Sequence, residues 1–370
     1  MSSSCTPPEA RMSEARMPET RMTAPGLEET LLGGARRYTR EQVAEESGLP
    51  PDDLRRLWRA LGFAAVDDDA VIFTDADVAA ARTAARLFGS GLVAPGQESA
   101  VTRALGHHLA RLAEWQMSLV VADQDSEATG AAGAAGAHGE TSRARGAAEA
   151  AAEALPALEH LQNYVWRRHL AAHAGRVTAA PPDAGRSGQV IGFVDMVGYT
   201  ALTRRVGEAA LVDVLERFES LAADAVSRHG GRIVKTIGDE VLFLCDSPGA
   251  AADTALELTE SAERDTVLPE LRTGLAYGQV VHRLGDVYGE VVNIAARLTS
   301  VARPGTILTD ESFATGIGRS APGGGADGGA DGGGGAGGAG PGAPYRLRSL
   351  RPVSVRGYSR LRVYALRRGR

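Results

Sequence analysis

The chain has 370 residues, room for two ordinary domains with linkers, and 44% of them are apolar, enough for sizeable cores. A net charge of −6 argues against an electrostatic nucleic-acid binder. Two cysteines far apart in the chain, Cys5 and Cys245, make neither a disulfide framework nor a zinc site, so a reducing cytoplasm is the expected compartment. No apolar run approaches the ~18–20 residues of a membrane span.

Residues 1–35 read as disordered and, lacking an apolar stretch, as no signal peptide; Met12, Met17 and Met22 offer alternative starts. Residues 36–125 read as an all-helical unit. Thr39 is placed to cap a helix with Gln42 in the reciprocal position, Gly48 and the Pro50–Pro51 pair stop it, and a second helix shows Leu54, Leu57, Trp58 and Leu61 on one face. Thr74 caps a further helix, and a long one runs from Glu98. The Ala/Gly-rich stretch 126–152 reads as a flexible linker, and 153–184 as a connecting helix and a second linker.

From residue 185 strands and helices alternate. "QVIGFVDMV" is a buried strand. Leu211, Leu215, Phe218, Leu221 and Ala225 form one face of the next helix. "RIVKTI" and "EVLFLC" form a hairpin about Gly238–Asp239. A helix over "AAADTALELTESAE", a strand pair around "LRTGLAYGQVVHRLGD", a helix over "EVVNIAARLTSVA" and the strand "TILTD" follow. A Gly-rich insertion, 320–343, precedes the last strands. An α+β sheet with helices packed on one side fits this order.

Chemistry concentrates at a few positions. Asp195 sits inside an apolar strand and Asp239 in a hairpin turn. One buried carboxylate is an ordinary hydrogen-bonding residue, but two at strand ends point to a shared cation, and oxygen-only ligands select Mg²⁺ or Mn²⁺. Asn293 and Arg297 are four apart and share a helix face. Lys235 is the only lysine among 40 cationic side chains.

Together "FVDMVGYT", "KTIGDEVLF", "LRTGLAYGQV", "GDVYGEVVNIAARL" and "ARPGTILT" resemble the class III nucleotide cyclases, in the right order across residues 188–366, with the two aspartates 44 residues apart. The resemblance implies a ferredoxin-like βαββαβ catalytic domain over 185–370. It makes Asp195, Asp239 and the Met196 carbonyl ligands of two Mg²⁺ or Mn²⁺ ions. Lys235 and Asp286 become the base-selecting pair, Asn293 the ribose-orienting residue and Arg297 the transition-state arginine. Arg272 and Arg356 become the β/γ-phosphate binders, Arg356 standing where the family commonly has Lys. The family shares each active site between subunits, so a homodimer is expected.

Adenine offers an acceptor at N1 and a donor at N6, which an ammonium and a carboxylate match. Guanine reverses the pattern and leaves both groups mispaired. A guanidinium fork suits phosphate better than one ring nitrogen, so a chain that otherwise writes arginine has reason to write lysine here. ATP is therefore the expected substrate, and the product cyclic AMP. A guanylate cyclase is disfavoured by this pair, and a silent nucleotide sensor by the completeness of the set. The N-terminal half resembles the helical regulatory domain of soluble actinobacterial cyclases. Residues 38–86 also look like a winged-helix DNA reader, but ten acidic residues against six arginines leave no basic face.

Overall fold

The computed structural model describes residues 26–128, 137–179, 188–320 and 344–369. The expected disorder of 1–25 and the Gly-rich insertion from 321 to 343 lie outside them, as do Cys5 and most of the second linker. The chain divides into two compact units, Met1–Arg176 and Val177–Arg370.

In the first unit the helices are α1 (Leu27–Leu32), α2 (Arg40–Ser47), α3 (Pro51–Ala60), α4 (Asp75–Gly89), α5 (Glu98–Ala128) and α6 (Ala137–Ala179). Both expected N-caps form complete capping boxes, Thr39 with Gln42 and Thr74 with Asp77. A small core gathers Val43, Ala44, Leu54, Phe73, Val78 and Ala81, with Leu57 and Trp58 against it, and one antiparallel bridge joins Tyr38 to Phe73. Two expectations change here. Leu27–Leu32 is helical inside the stretch read as disordered. The Ala/Gly-rich linker is helical from Ala137, because alanine, glutamate and arginine have high helix propensity, which outweighs its few glycines.

The second unit runs β1 (Gln189–Met196), α7 (Tyr199–Leu202), α8 (Glu208–Arg228), β2 (Arg232–Ile237), β3 (Glu240–Cys245), α9 (Pro248–Arg264) and β4 (Leu271–Gly278). It continues with β5 (Val281–Arg283), β6 (Asp286–Tyr288), α10 (Glu290–Val301), β7 (Thr306–Asp310) and α11 (Glu311–Ser320), then β8 (Tyr345–Ser349), β9 (Val353–Val355), β10 (Tyr358–Leu361) and β11 (Val363–Arg368). The main sheet has the order β2-β3-β1-β4-β7-β11-β8, antiparallel except for the β4–β7 pair. Its first four strands, with α8 and α9, are the βαββαβ unit expected from the sequence.

Alternation along β1 divides the core. Val190, Val194 and Met196 face Phe218, Ala222, Ala255 and Phe313 of α8, α9 and α11. Ile191 and Phe193 face Val291 and Ala295 of α10. Helices therefore cover both sides of the sheet, not one; element order alone does not say on which face a crossover lies. The expected strand pair after Leu271 is also different. β4 pairs with β1 and β7, while β5 pairs only with β6 in a separate ribbon. On α8 the buried stripe includes Val214 and Ala222 beside Phe218 and Ala225, with Leu215 and Leu221 at its margin.

α11 was not legible as a helix, but its start has a clear cause. Asp310, 6% exposed, accepts the Phe313 N–H at 2.9 Å and the Tyr277 N–H at 3.3 Å through Oδ1. Asp310→Ala leaves these amides unpaired and should cost about 1–3 kcal/mol in thermal melts. Burial pushes the Asp310 carboxyl from 3.8 up to about 6, against the pull of its backbone donors. Its stabilising contribution is therefore full below the unfolded value and is lost as pH rises through about 6. Asp310→Asn keeps an acceptor without a charge and should flatten that part of the stability–pH curve. Cys245 is buried beside Thr254, and burial pushes its thiol up to about 11. Among the described residues no helix is long and apolar enough to cross a membrane.

Candidate active site

β1 ends where the β2–β3 turn returns, and one backbone bond fixes the join: the Met196 N–H donates to the Asp239 carbonyl at 3.2 Å. Gly238, with φ +63, makes that turn possible. Asp239 is thereby set beside Asp195, which is 8% exposed. Asp195 lies opposite Glu240 on β3 and opposite Arg272 on β4. Arg272 donates from Nε to Oδ2 of Asp195 at 2.5 Å, and a second guanidinium nitrogen reaches the same oxygen. Burial, and then the negative Asp195, hold the Asp239 carboxyl above its ordinary range, with backbone hydrogen bonding and Arg272 pulling the other way.

Glu240 belongs to this cluster and was not singled out from the sequence. Burial first, then Asp195 and Asp239, push its carboxyl up to about 7. Strand alternation carried the signal, since Glu240 is in phase with the buried Leu242 and Leu244. Among the described residues no three acidic side chains are arranged to hold one ion together, so any fit to a cation rests on the pair Asp195 and Asp239. Asp195 and Asp239 press like charges together, which a hard divalent cation would relieve, so the residues fit such an ion.

Lys235 and Asp286 meet in an ion pair. The ammonium donates to Asp286 Oδ2 at 2.6 Å, and the Val287 N–H donates to Oδ1 at 2.8 Å. Burial works to raise the Asp286 carboxyl, but the lysine and this N–H outweigh it, so Asp286 titrates below the ordinary range. Lys235 faces Leu242 across the hairpin, on the α10 side of the sheet, as Asp195 does. Asn293 is exposed on α10, with Arg297 half-buried one turn later. Arg356 lies exposed between β9 and β10. Tyr358 of that hairpin meets Glu290 and Arg297: burial and Glu290 push its phenol up, Arg297 opposing. One chain therefore brings together Asp195, Met196, Asp239 and Arg272, and separately Lys235 with Asp286. Among the described residues, no hydrogen bond or ion pair joins Asn293, Arg297 or Arg356 to the Asp195 cluster.

Residues 185–316 match the family model described as "Adenylate and Guanylate cyclase catalytic domain", and residues 16–170 match "Adenylate cyclase regulatory domain". An adenylate cyclase of Streptomyces coelicolor is 41% identical over 290 residues, 78% of this chain and 74% of that one. The adenylate cyclase of Glutamicibacter nicotianae is 36% identical over 324 residues, 83% of this chain and 78% of its own, and that of Streptomyces griseus is 40% identical over 290, or 78% and 70%. The ferredoxin-like strand order, the paired carboxylates at the end of β1 and these relatives together place the chain in the adenylate cyclase family, with a regulatory domain ahead of the catalytic one.

Proposed function

We propose that the chain converts ATP to 3′,5′-cyclic AMP and pyrophosphate, and that Lys235 and Asp286 select the base. The observation that carries this reading is the 2.6 Å ion pair between them. It aligns one donor and one acceptor, the complement of adenine's N1 and N6 edge, and guanine would face each group with its like. In the reaction the ribose 3′-oxygen forms a bond to the α-phosphorus, the bond from that phosphorus to the β-phosphate oxygen breaks, and the hydroxyl proton leaves to solvent. Two Mg²⁺ or Mn²⁺ ions, held by Asp195, Asp239 and the Met196 carbonyl, would supply Lewis-acid activation of the hydroxyl and neutralise phosphate charge.

The chain's own groups do the rest. Asn293 orients the ribose, and Arg297 meets the charge that develops at the phosphorus, so its loss falls on kcat more than on KM. Arg272 and Arg356 hold the β- and γ-phosphates through planar forks of donors. We assign the working form as a cytoplasmic homodimer that shares each site between subunits and binds no nucleic acid. Its helical half regulates the catalytic half.

The test uses the full-length chain with ATP or GTP and Mn²⁺ or Mg²⁺, scored for cyclic nucleotide beside an Asp239→Ala control. The expected product is cyclic AMP, with GTP much poorer and the control at background. Nucleotide binding without any cyclic product would sink the enzyme reading. Equal use of GTP would sink the base assignment.

A further inference from the structure

The elements that carry Lys235 and Asp286 are tied by a chain of polar side chains outside the reaction itself. Asp246, just past β3, accepts from Gln189 Nε2 at 2.7 Å. Gln189, the first residue of β1, turns Oε1 to His282 Nε2 at 2.6 Å. His282, in the middle of β5, meets Arg232 Nη2 through Nδ1 at 3.2 Å, and Arg232 opens β2. The two ends fix every proton between them. A carboxylate accepts and a guanidinium only donates. Gln189 must therefore give its amide N–H to Asp246 and its carbonyl to His282. His282 must donate from Nε2 and accept at Nδ1. Only the neutral ring, in one tautomer, fits. An imidazolium would put an N–H and a second positive charge against Arg232.

The place of this chain in the fold gives it a purpose. The β5–β6 ribbon has no backbone ladder to the main sheet. Val287, opposite His282 in register, anchors it in the core, and Asp286 meets Lys235. Among the described residues, His282 adds ties to β1 and to β2, the strand that also carries Lys235. Leu284 and Gly285 both take left-handed backbone, φ 52 and 87, in a tight two-residue turn, so a shift at His282 is passed stiffly to Asp286.

We propose that His282, with Gln189, is a positioning residue that locks the β5–β6 ribbon to β1 and β2 and so sets Asp286 where it and Lys235 read one base. The inference rests on the reading of Lys235 and Asp286 as the base-selecting pair. The charged groups around the ring are Arg232 from β2, Asp246 behind Gln189, and Arg283 and Asp286 on its own ribbon. Burial, then Arg232, hold the His282 pKa below the ordinary value, with Asp246 opposing. The lock is thus closed at neutral pH and opens only as pH falls below the usual histidine range. It lies at the surface, so its effect is of moderate size.

Steady-state kinetics of the full chain with ATP and GTP test this, on wild type, His282→Lys, His282→Gln and Lys235→Ala across pH 5.5–8. His282→Lys carries the acid-state charge permanently and should raise KM for ATP about threefold to tenfold at pH 8, lower the ATP preference by a similar factor and leave kcat nearly unchanged. His282→Gln keeps a neutral donor toward Gln189. It should stay near wild type at pH 8 and lose the acid rise in KM. Wild-type KM and base preference in His282→Lys, while Lys235→Ala loses its preference, would overturn the positioning role. So would a fall in kcat and melting temperature with KM unchanged, which marks a purely structural residue. An intact base preference in Lys235→Ala would instead overturn the reading of the pair.

Discussion

A valine at position 274 is expected to lower kcat by about a hundredfold or more, and to lower the melting temperature, although Gly274 touches no substrate. Gly274 lies in the middle of β4, on the α10 side. A side chain there would collide with the Ala295 carbonyl and with the amide and hydroxyl of Thr299. The helix backbone rests directly on the strand, and Thr299 adds hydrogen bonds to the Phe193 carbonyl at 3.2 Å and to the Ala295 carbonyl at 3.0 Å. Backbone cannot swing aside as a flexible side chain can, so α10 must lift away, and Asn293 and Arg297 travel with it. A displacement of about 1 Å at a transition-state group is enough for a hundredfold loss. Gly274→Ala should show the same pattern more weakly, with about 1–3 kcal/mol of lost stability. Gly318→Ala on α11, where an added methyl meets nothing within 4 Å, is the control and should melt no lower than wild type. Wild-type kcat and melting temperature in Gly274→Val would show that α10 does not need this close approach.

That contact marks the limit of what the chain says about itself. The hairpin was legible because Gly238–Asp239 stands between two apolar runs, and the first capping box because Thr39 stands three residues ahead of Gln42; at Thr74 the cap was legible, its partner Asp77 was not. The candidate site was legible for a different reason. Asp195, Asp239 and Lys235 are chemically costly or unusual where they fall, and Arg297, unremarkable alone, is marked by the short motifs that hold all four in order. Faces and partners were not legible. Nothing local to α10 says that it covers the sheet opposite α8 and α9, because that is decided by where the crossover passes. Nothing in "VVHRLGD" says that β5 leaves β4 to pair with β6. His282 was missed because its setting is built by Gln189, 93 residues away in the chain; Glu240 was marked as buried by its strand phase, but its acidic company comes from Asp195, 45 residues away. Ala137 onward was misread because glycine content was given more weight than alanine content.

Mixing Asp195→Ala chains with Arg297→Ala chains should restore cyclic AMP synthesis far above that of either chain alone. Alone, Arg297→Ala is expected to lose about 10²–10³ in kcat, as removal of a transition-state donor does, and Asp195→Ala to fall to background. The expectation rests on the proposal that each active site is shared between two subunits. Asp195, Asp239 and Arg272 converge at the end of β1, whereas Asn293 and Arg297 sit on α10 and, among the described residues, have no hydrogen bond or ion pair to that cluster. Each chain has one copy of each set. A two-fold dimer that pairs the carboxylates of one subunit with the α10 groups of its partner makes two equivalent sites. In a mixed dimer both lesions fall in one site and the other is intact. Random assortment of equal amounts makes half the dimers mixed, so about a quarter of wild-type activity should return. Asp195→Ala mixed with Asp239→Ala should recover nothing, because both lesions then strike the carboxylate half of every site. Co-expression of the two chains under different tags, followed by tandem purification, isolates the mixed dimer. An inactive mixed dimer would mean that one chain holds its whole site, and that α10 must close onto the Asp195 cluster within the same subunit.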